Sequence, residues 1–352
     1  MAGKASDYLE NELIDHLVGN GSWSPPASYY IALSKADPTD DGSGLDEPTG
    51  DYARKSTAPG DWNTASSRSI TNANDIVFAE ATSDWAPVGD EITHFAIMDA
   101  STGGNMLFYG EFTASRTITT GDTFVIPSGS LEISVDSGGW SDYLSNELLD
   151  HVFGKSTFTP PSNLYVALSL ADPTDDGSGL EYPVGDSYSH VSTSSADWDT
   201  ASGGITYNAN DITFTTATGN WGTITHAATF DEQLDADYAI QSIDGASKQF
   251  EVTGDQTAKL VAGEKIRVRG STNNDGIYTV VSASYSGGSG TTTITVSETV
   301  NEEPTPTPTA PGWGYIDFLG NMLTHGTLAV SKTVNNGDTF KFPATYFSIG
   351  CD

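Results

Sequence analysis

Residues 6–19 read SDYLENELIDHLVG, and residues 141–154 read SDYLSNELLDHVFG, with ten of fourteen positions identical. Ser6/Ser141, Asn11/Asn146, His16/His151 and Gly19/Gly154 all recur. The run ADPTDDGSGL at 36–45 returns unchanged at 171–180. A chain that writes one sequence twice must fold one set of elements twice. Two copies of a fold suit a lattice or a ring. An enzyme seldom needs two copies unless each carries a site, and no site stands out here.

The correspondence continues along both copies. Pro25-Pro26 matches Pro160-Pro161, YYIALSKADP (29–38) matches LYVALSLADP (164–173), and Trp62 matches Trp198. TNANDIVF (71–78) matches YNANDITF (207–214), Trp85 matches Trp221, and ITHFAIMD (92–99) matches ITHAATFD (224–231). The match breaks after Asp231. It resumes at Gly320-Asn321-Met322-Leu323, the counterpart of Gly104-Asn105-Met106-Leu107. The expected domains are therefore repeat 1 at 1–138, repeat 2 split into 139–233 and 313–352, and an insert at 234–312. In the first copy the insertion point is the short turn DASTGG (99–104). Exposed hairpin tips accept insertions at little cost, provided the two ends of the insert lie close together.

Each copy opens with one helix. Ser6 is the expected N-cap, Asp7 and Glu10 suit the positive end, and Gly19 ends the helix. Leu9, Leu13, His16 and Leu17 share a face, as do Leu144, Leu148, His151 and Val152. Beyond the helices the apolar residues alternate with period two, and Thr, Val and aromatic residues dominate, which favours strands. The expected fold is mainly β: two tandem homologous antiparallel β-sandwich domains, each with an N-terminal helix. In the insert, FEVTGD (250–255), KIRVRG (265–270), GIYTVVSASY (276–285) and TTTITVSE (291–298) suggest four or five strands in a small barrel or sandwich. Its exit, NEEPTPTPTAPG (301–312), is Pro-rich and expected to be extended. Ser137-Gly138-Gly139 reads as the linker between copies.

The 352 residues carry 47 acids against 14 bases, a formal charge of −33. Direct nucleic-acid binding is not expected, because phosphates require a basic stripe. Such a surface also keeps a concentrated protein soluble and repels membranes. Cys351 is the single cysteine, so no internal disulfide forms. No apolar run approaches membrane-spanning length, and MAGKASDYLENEL has no signal-peptide core. Synthesis in a cytoplasm is expected.

Several motifs invite a functional reading. Asp37, Asp40 and Asp41, with Asp172, Asp175 and Asp176, offer oxygen ligands for Ca²⁺. Their D-x-x-D-D-G spacing differs from an EF-hand loop, and Asp-Pro and Asp-Gly also make ordinary turns, so a structural turn is expected. The recurring His16/His151 and His94/His226 lack a second ligand at metal spacing and are expected to be packed and hydrogen-bonded. Trp62/Trp198 and Trp85/Trp221 suit a sugar platform, a core or an interface, and core or interface is expected. No paired carboxylate sits in a context expected to raise a pKa, and no hydrolase elbow, P-loop or dinucleotide fingerprint is present. No catalytic, cofactor-binding or metal-binding residue is assigned.

The stretch from SDYLENELIDHLVG through Y-[IV]-A-L-S-x-A-D-P and Asn-Ala-Asn-Asp-Ile to Gly-Asn-Met-Leu resembles a family of tailed-bacteriophage virion structural, tail-fibre-like proteins. The likeness covers nearly all of the first copy and the second copy outside the insert. It implies a non-enzymatic structural component of a tailed virus particle, exposed on the exterior, as a tail- or fibre-associated component or a capsid decoration protein. No catalytic residue is carried over. The expected partners are other virion proteins, tail or major capsid, and copies of the chain itself. A trimer would present six similar domains in a pseudo-six-fold arrangement. Two alternatives are a host-surface glycan-binding module, using Tyr278 and Tyr285 of the insert, and a secreted glycan-active enzyme.

Overall fold

The computed structural model describes residues 1–135, 139–183, 187–303 and 313–351. Residues 137–138 of the expected linker, and 304–312 of the Pro-rich exit, lie outside the described residues. The chain forms two compact units. One comprises Met1–Ser162, Ser194–Asn210 and Pro343–Asp352, the other Asn163–Thr193 and Asp211–Phe342. The second copy contributes chain to both. The fold is mainly β, with two tandem repeats that each carry one helix near their start, preceded in the first by the strand Ala2–Ala5, and a closed barrel in the second.

The first unit is built on a seven-stranded sheet. Its order is Lys55–Thr57, Tyr29–Ser34, Ile92–Met98, Met106–Arg116, Ala2–Ala5, Glu132–Ser134 and Ser69–Thr71. The pairings are antiparallel, except that Ala2–Ala5 runs parallel to Glu132–Ser134. The N-terminal strand fits because Gly3 within it and Gly110 beside it carry no side chain. A Cβ on Gly110 would lie 2.3 Å from the Ala2 carbonyl, and one on Gly3 would lie 2.7 Å from Ile133. A two-stranded ladder, Ile76–Glu80 with Thr123–Ile126, turns Ile76, Phe78 and Ile126 inward.

Helix α1 (Asp7–Val18) starts where Ser6 accepts from the Leu9 amide and ends at Gly19, whose φ of 79° is the left-handed conformation that favours glycine. Helix α2 (Asp142–Val152) starts likewise at Ser141, which accepts from Leu144. The expected apolar faces of both helices are buried.

In the second unit a four-stranded sheet runs Val191–Thr193, Leu164–Ser169, Gly222–Phe230 and Met322–Val334. The insert closes into a six-stranded barrel in the order Asp235–Asp244, Gln249–Thr253, Thr291–Val296, Gly276–Ser286, Lys265–Arg269 and Tyr315–Phe318. The first and last of these strands exceed the four expected segments. Tyr315–Phe318 also lies past 312, where the sequence comparison ended the insert. It is short and merges directly into the second copy, so no turn signal separates it. Alternation fills the barrel with Phe250, Val252, Ile266, Val268, Val280, Ile294, Val296 and Ile316.

Candidate functional site

The recurring polar residues of the helices are spent on one another's copies. Asn11 and Asp15 of α1 accept from the amides of Gly204 (3.0 Å) and Ala201 (2.8 Å). Asn146 and Asp150 of α2 accept from the amides of Arg68 (3.0 Å) and Ala65 (2.7 Å). These four bonds are sequence equivalents, so within the first unit the helices cross reciprocally between copies. The exchange reaches the core. Phe153, one residue past α2, packs against Trp62, Tyr29 and Phe108 of the first copy at ring distances of 4.3, 5.3 and 5.4 Å. Tyr29 donates its hydroxyl to the Val152 carbonyl at 2.6 Å. His16 and His151 stack where the helices meet.

The Asn-Ala-Asn-Asp motif is a knot. Asn72, fully buried, donates to the Asn74 and Pro127 carbonyls and accepts from the Leu131 amide. Asn208 repeats all three bonds with Asn210, Pro343 and Phe347. Each asparagine fastens its strand to a turn far along the chain, using donor and acceptor at once.

The aspartate loops are turns closed by their own side chains. Asp37 accepts from the Thr39 amide, and Asp41 accepts from the Thr39 hydroxyl and the Ser43 amide. Asp172, Thr174, Asp176 and Ser178 repeat the pattern. The Ser43 amide, then the Thr39 hydroxyl, hold the Asp41 carboxyl down at about 2. Among the described residues no group of three carboxylate, His or Cys side chains gathers at metal-binding distance. The middle aspartates meet different side chains. Lys4 lies 3.6 Å from Asp40, whereas His325 Nε2 lies 2.9 Å from Asp175. A pocket of about 170 Å³ beside the first loop, lined by Ser6, Tyr8, Asp40 and Asn105, is smaller than ordinary ligand sites.

The other recurring residues are structural in place. Trp62, Trp85, Trp198 and Trp221 are all buried, so none presents a face to a sugar. Trp62 donates to Thr57, and Trp85 donates to Asp51. His94 and His226 each bond the preceding threonine through Nδ1 at 2.8 Å.

The insertion neck holds what sequence reading missed. Asp231 accepts from the Asn321 amide (2.7 Å) and side chain (2.9 Å), closing the two ends of the insert together. Asp99 and Asn105 make the same two bonds, at 2.7 and 2.9 Å, across the first copy's short turn. Glu232 and Glu264 stand beside this clamp. Burial, then Asp231 and Glu232, push the Glu264 carboxyl up to about 7. Asp231 and Glu232 are raised as well, chiefly by burial. The expectation that no carboxylate has a raised pKa is therefore corrected. The adjacent Asp231 and Glu232 meet Glu264 only in the fold, and no local motif announces the trio. A raised carboxyl is a general-acid signature, but Asp231 is committed to Asn321.

The barrel is docked on its host sheet. Tyr182, Phe230 and Met322 of the second copy form one buried cluster with Leu319, and Ile277 packs against it. Arg267 reaches out of the barrel wall, its guanidinium 4.7 Å from the Tyr182 ring centre. Its Nε also donates to Asp317 at 2.9 Å, as does that of Arg269. In the first copy Glu47 holds Arg54, which ties down the turn through the Ala100 and Gly103 carbonyls. Tyr182 and His190 replace that pair in the second copy, and the barrel supplies the arginine. Of the two tyrosines considered for glycans, Tyr278 is 6% exposed and hydrogen-bonded to the Asn274 carbonyl, whereas Tyr285 is 43% exposed. Tyr278 therefore offers no stacking face.

A family model described as podophage GP4 fiber I protein gp80 matches the chain twice, over residues 4–134 and 139–265. The chain belongs to this fibre-protein family. No curated protein matches it.

The two matches begin at the two copies, so the repeat is the family's own unit, present here in tandem. The second match runs into the barrel, through the strands Asp235–Asp244 and Gln249–Thr253. The recurring motifs that carried the resemblance are, in this fibre-family fold, the helix crossing, the asparagine knot and the neck clamp. Among the described residues no helix is long and apolar enough to cross a membrane.

Proposed function

We propose that the chain is a non-enzymatic structural subunit of a tail fibre, exposed on the particle exterior and assembled with other virion proteins and with copies of itself. The tandem family match carries this reading. In domain terms the chain is repeat 1 (1–138), repeat 2 (139–233 and 313–352) and an insert (234–312) whose barrel is closed by the strand Tyr315–Phe318. The crossed helices supply a rigid body suited to a fibre, because both copies contribute to one core. The recurring residues that an enzyme would need for chemistry are used instead in turns, knots and clamps. Burial of Tyr278 counts against a stacking role for it and leaves Tyr285 as the exposed one of the two.

Immunogold labelling of intact particles with antibody to the full chain tests the proposal. Gold along the tail fibres is expected. Gold over the head, or absence of the chain from purified particles by mass spectrometry, overturns it.

A further inference from the structure

The crossed helices meet at two imidazoles. The His16 and His151 rings are parallel to within 3°, with centroids 5.0 Å apart, and both are buried. Main-chain groups surround them. His16 Nε2 lies 3.2 Å from the Phe158 carbonyl, and His151 Nε2 lies 3.3 Å from the Trp23 carbonyl. A carbonyl only accepts, so each Nε2 carries a hydrogen. The Phe158 amide donates to His151 Nδ1 at 3.2 Å, so that nitrogen holds a lone pair. These partners assign His151 the neutral Nε2–H tautomer. Phe158 is held at both ends, its amide by His151 from the second copy and its carbonyl by His16 from the first.

We propose that the stacked His16–His151 pair is a proton-operated latch on the crossed helices, shut while His151 is neutral and released in mild acid.

A second proton on His151 has to enter at Nδ1, where it meets the Phe158 N–H, donor against donor. The charged ring would also stand 5.0 Å from a second imidazole in a site withdrawn from water. The neighbouring charges do not relieve this. Asp15 and Asp150 are turned to the Ala201 and Ala65 amides, and Lys155 is turned to the Pro59 and Trp62 carbonyls. Burial, opposed by main-chain hydrogen bonding to Trp23 and Ser156 and reinforced by His16, holds His151 below the ordinary histidine value. The sign follows. A base with a depressed folded-state pKa contributes its full stability above the unfolded value, about 6.5, and loses it as pH falls through the folded value.

The test uses the full chain. The double variant His16→Gln/His151→Gln keeps a donor and an acceptor at each position and cannot titrate. Between pH 7 and pH 5 the wild-type unfolding midpoint should fall by several degrees more than that of the variant. Parallel pH profiles overturn the latch. A measurement on the unmodified chain guards against a variant that fails to fold. The hydrogen-exchange protection factor of the Phe158 amide should drop at least tenfold from pH 7 to pH 5, and an unchanged factor also overturns the proposal.

Discussion

Asp231 and Asn321 close the neck of the inserted barrel with the same two hydrogen bonds that Asp99 and Asn105 make across a short turn. The glycine before each asparagine, Gly104 or Gly320, has positive φ, and a Cβ there would strike the aspartate at 2.3 or 2.6 Å. The clamp is thus a hairpin closure that tolerates either a turn or a whole barrel between its ends. Hydrogen bonds to a charged acceptor are worth about 1.5–3 kcal/mol. Asp99→Ala and Asp231→Ala should each lower stability by about that amount in urea unfolding. Asp231→Ala should also speed exchange at the Asn321 amide.

The neck gives a second prediction through Glu264. Its carboxyl is raised to about 7, first by burial and then by Asp231 and Glu232. A carboxyl with a raised folded-state pKa contributes stability that is full below the unfolded value, about 4.5, and lost as pH rises to about 7. Glu264→Gln removes that loss. The variant should match wild type in thermal unfolding at pH 4 and exceed it at pH 8.

Much of this fold is written in the sequence. Duplication marks two tandem repeats, caps and periodicity mark the helices, and the break after Asp231 marks where the second copy departs from the first. Leu9, Leu13 and Leu17 told that α1 buries one face. They did not tell that Asn11 and Asp15, on the same helix, reach residues 201–204 of the other copy. Polar side chains that accept from distant backbone amides leave no periodic signature. The carboxyl trio at the neck was hidden for the same reason, since Glu264 approaches Asp231 only once the barrel has closed. Tyr278 misled because alternation marks a strand without marking which side faces the barrel core.

Leu13 is about 1% exposed on the inner face of α1. Leu13→Ala should cost about 2–5 kcal/mol in unfolding free energy. Leu13→Asp buries an unpaired charge, and the soluble yield of folded chain should collapse. Wild-type behaviour of the aspartate variant would mean the helix face is wrongly placed.

The aspartate loops are already closed by Thr39 and Ser43, and by Thr174 and Ser178. Millimolar Ca²⁺ or a chelator should therefore leave the unfolding midpoint unchanged in calorimetry, while Thr39→Val should lower it.

The crossing of the helices joins the two copies in one core, and Phe153→Ala tests it most directly. Phe153 belongs to the second copy by sequence, but its ring lies among Tyr29, Trp62 and Phe108 of the first. Hydrogen exchange on the full-length variant should show lost protection in the first-copy strands Tyr29–Ser34 and Met106–Arg116, with an overall cost of about 3–5 kcal/mol. Protection lost only in second-copy segments, with the first-copy strands unchanged, would contradict the crossing.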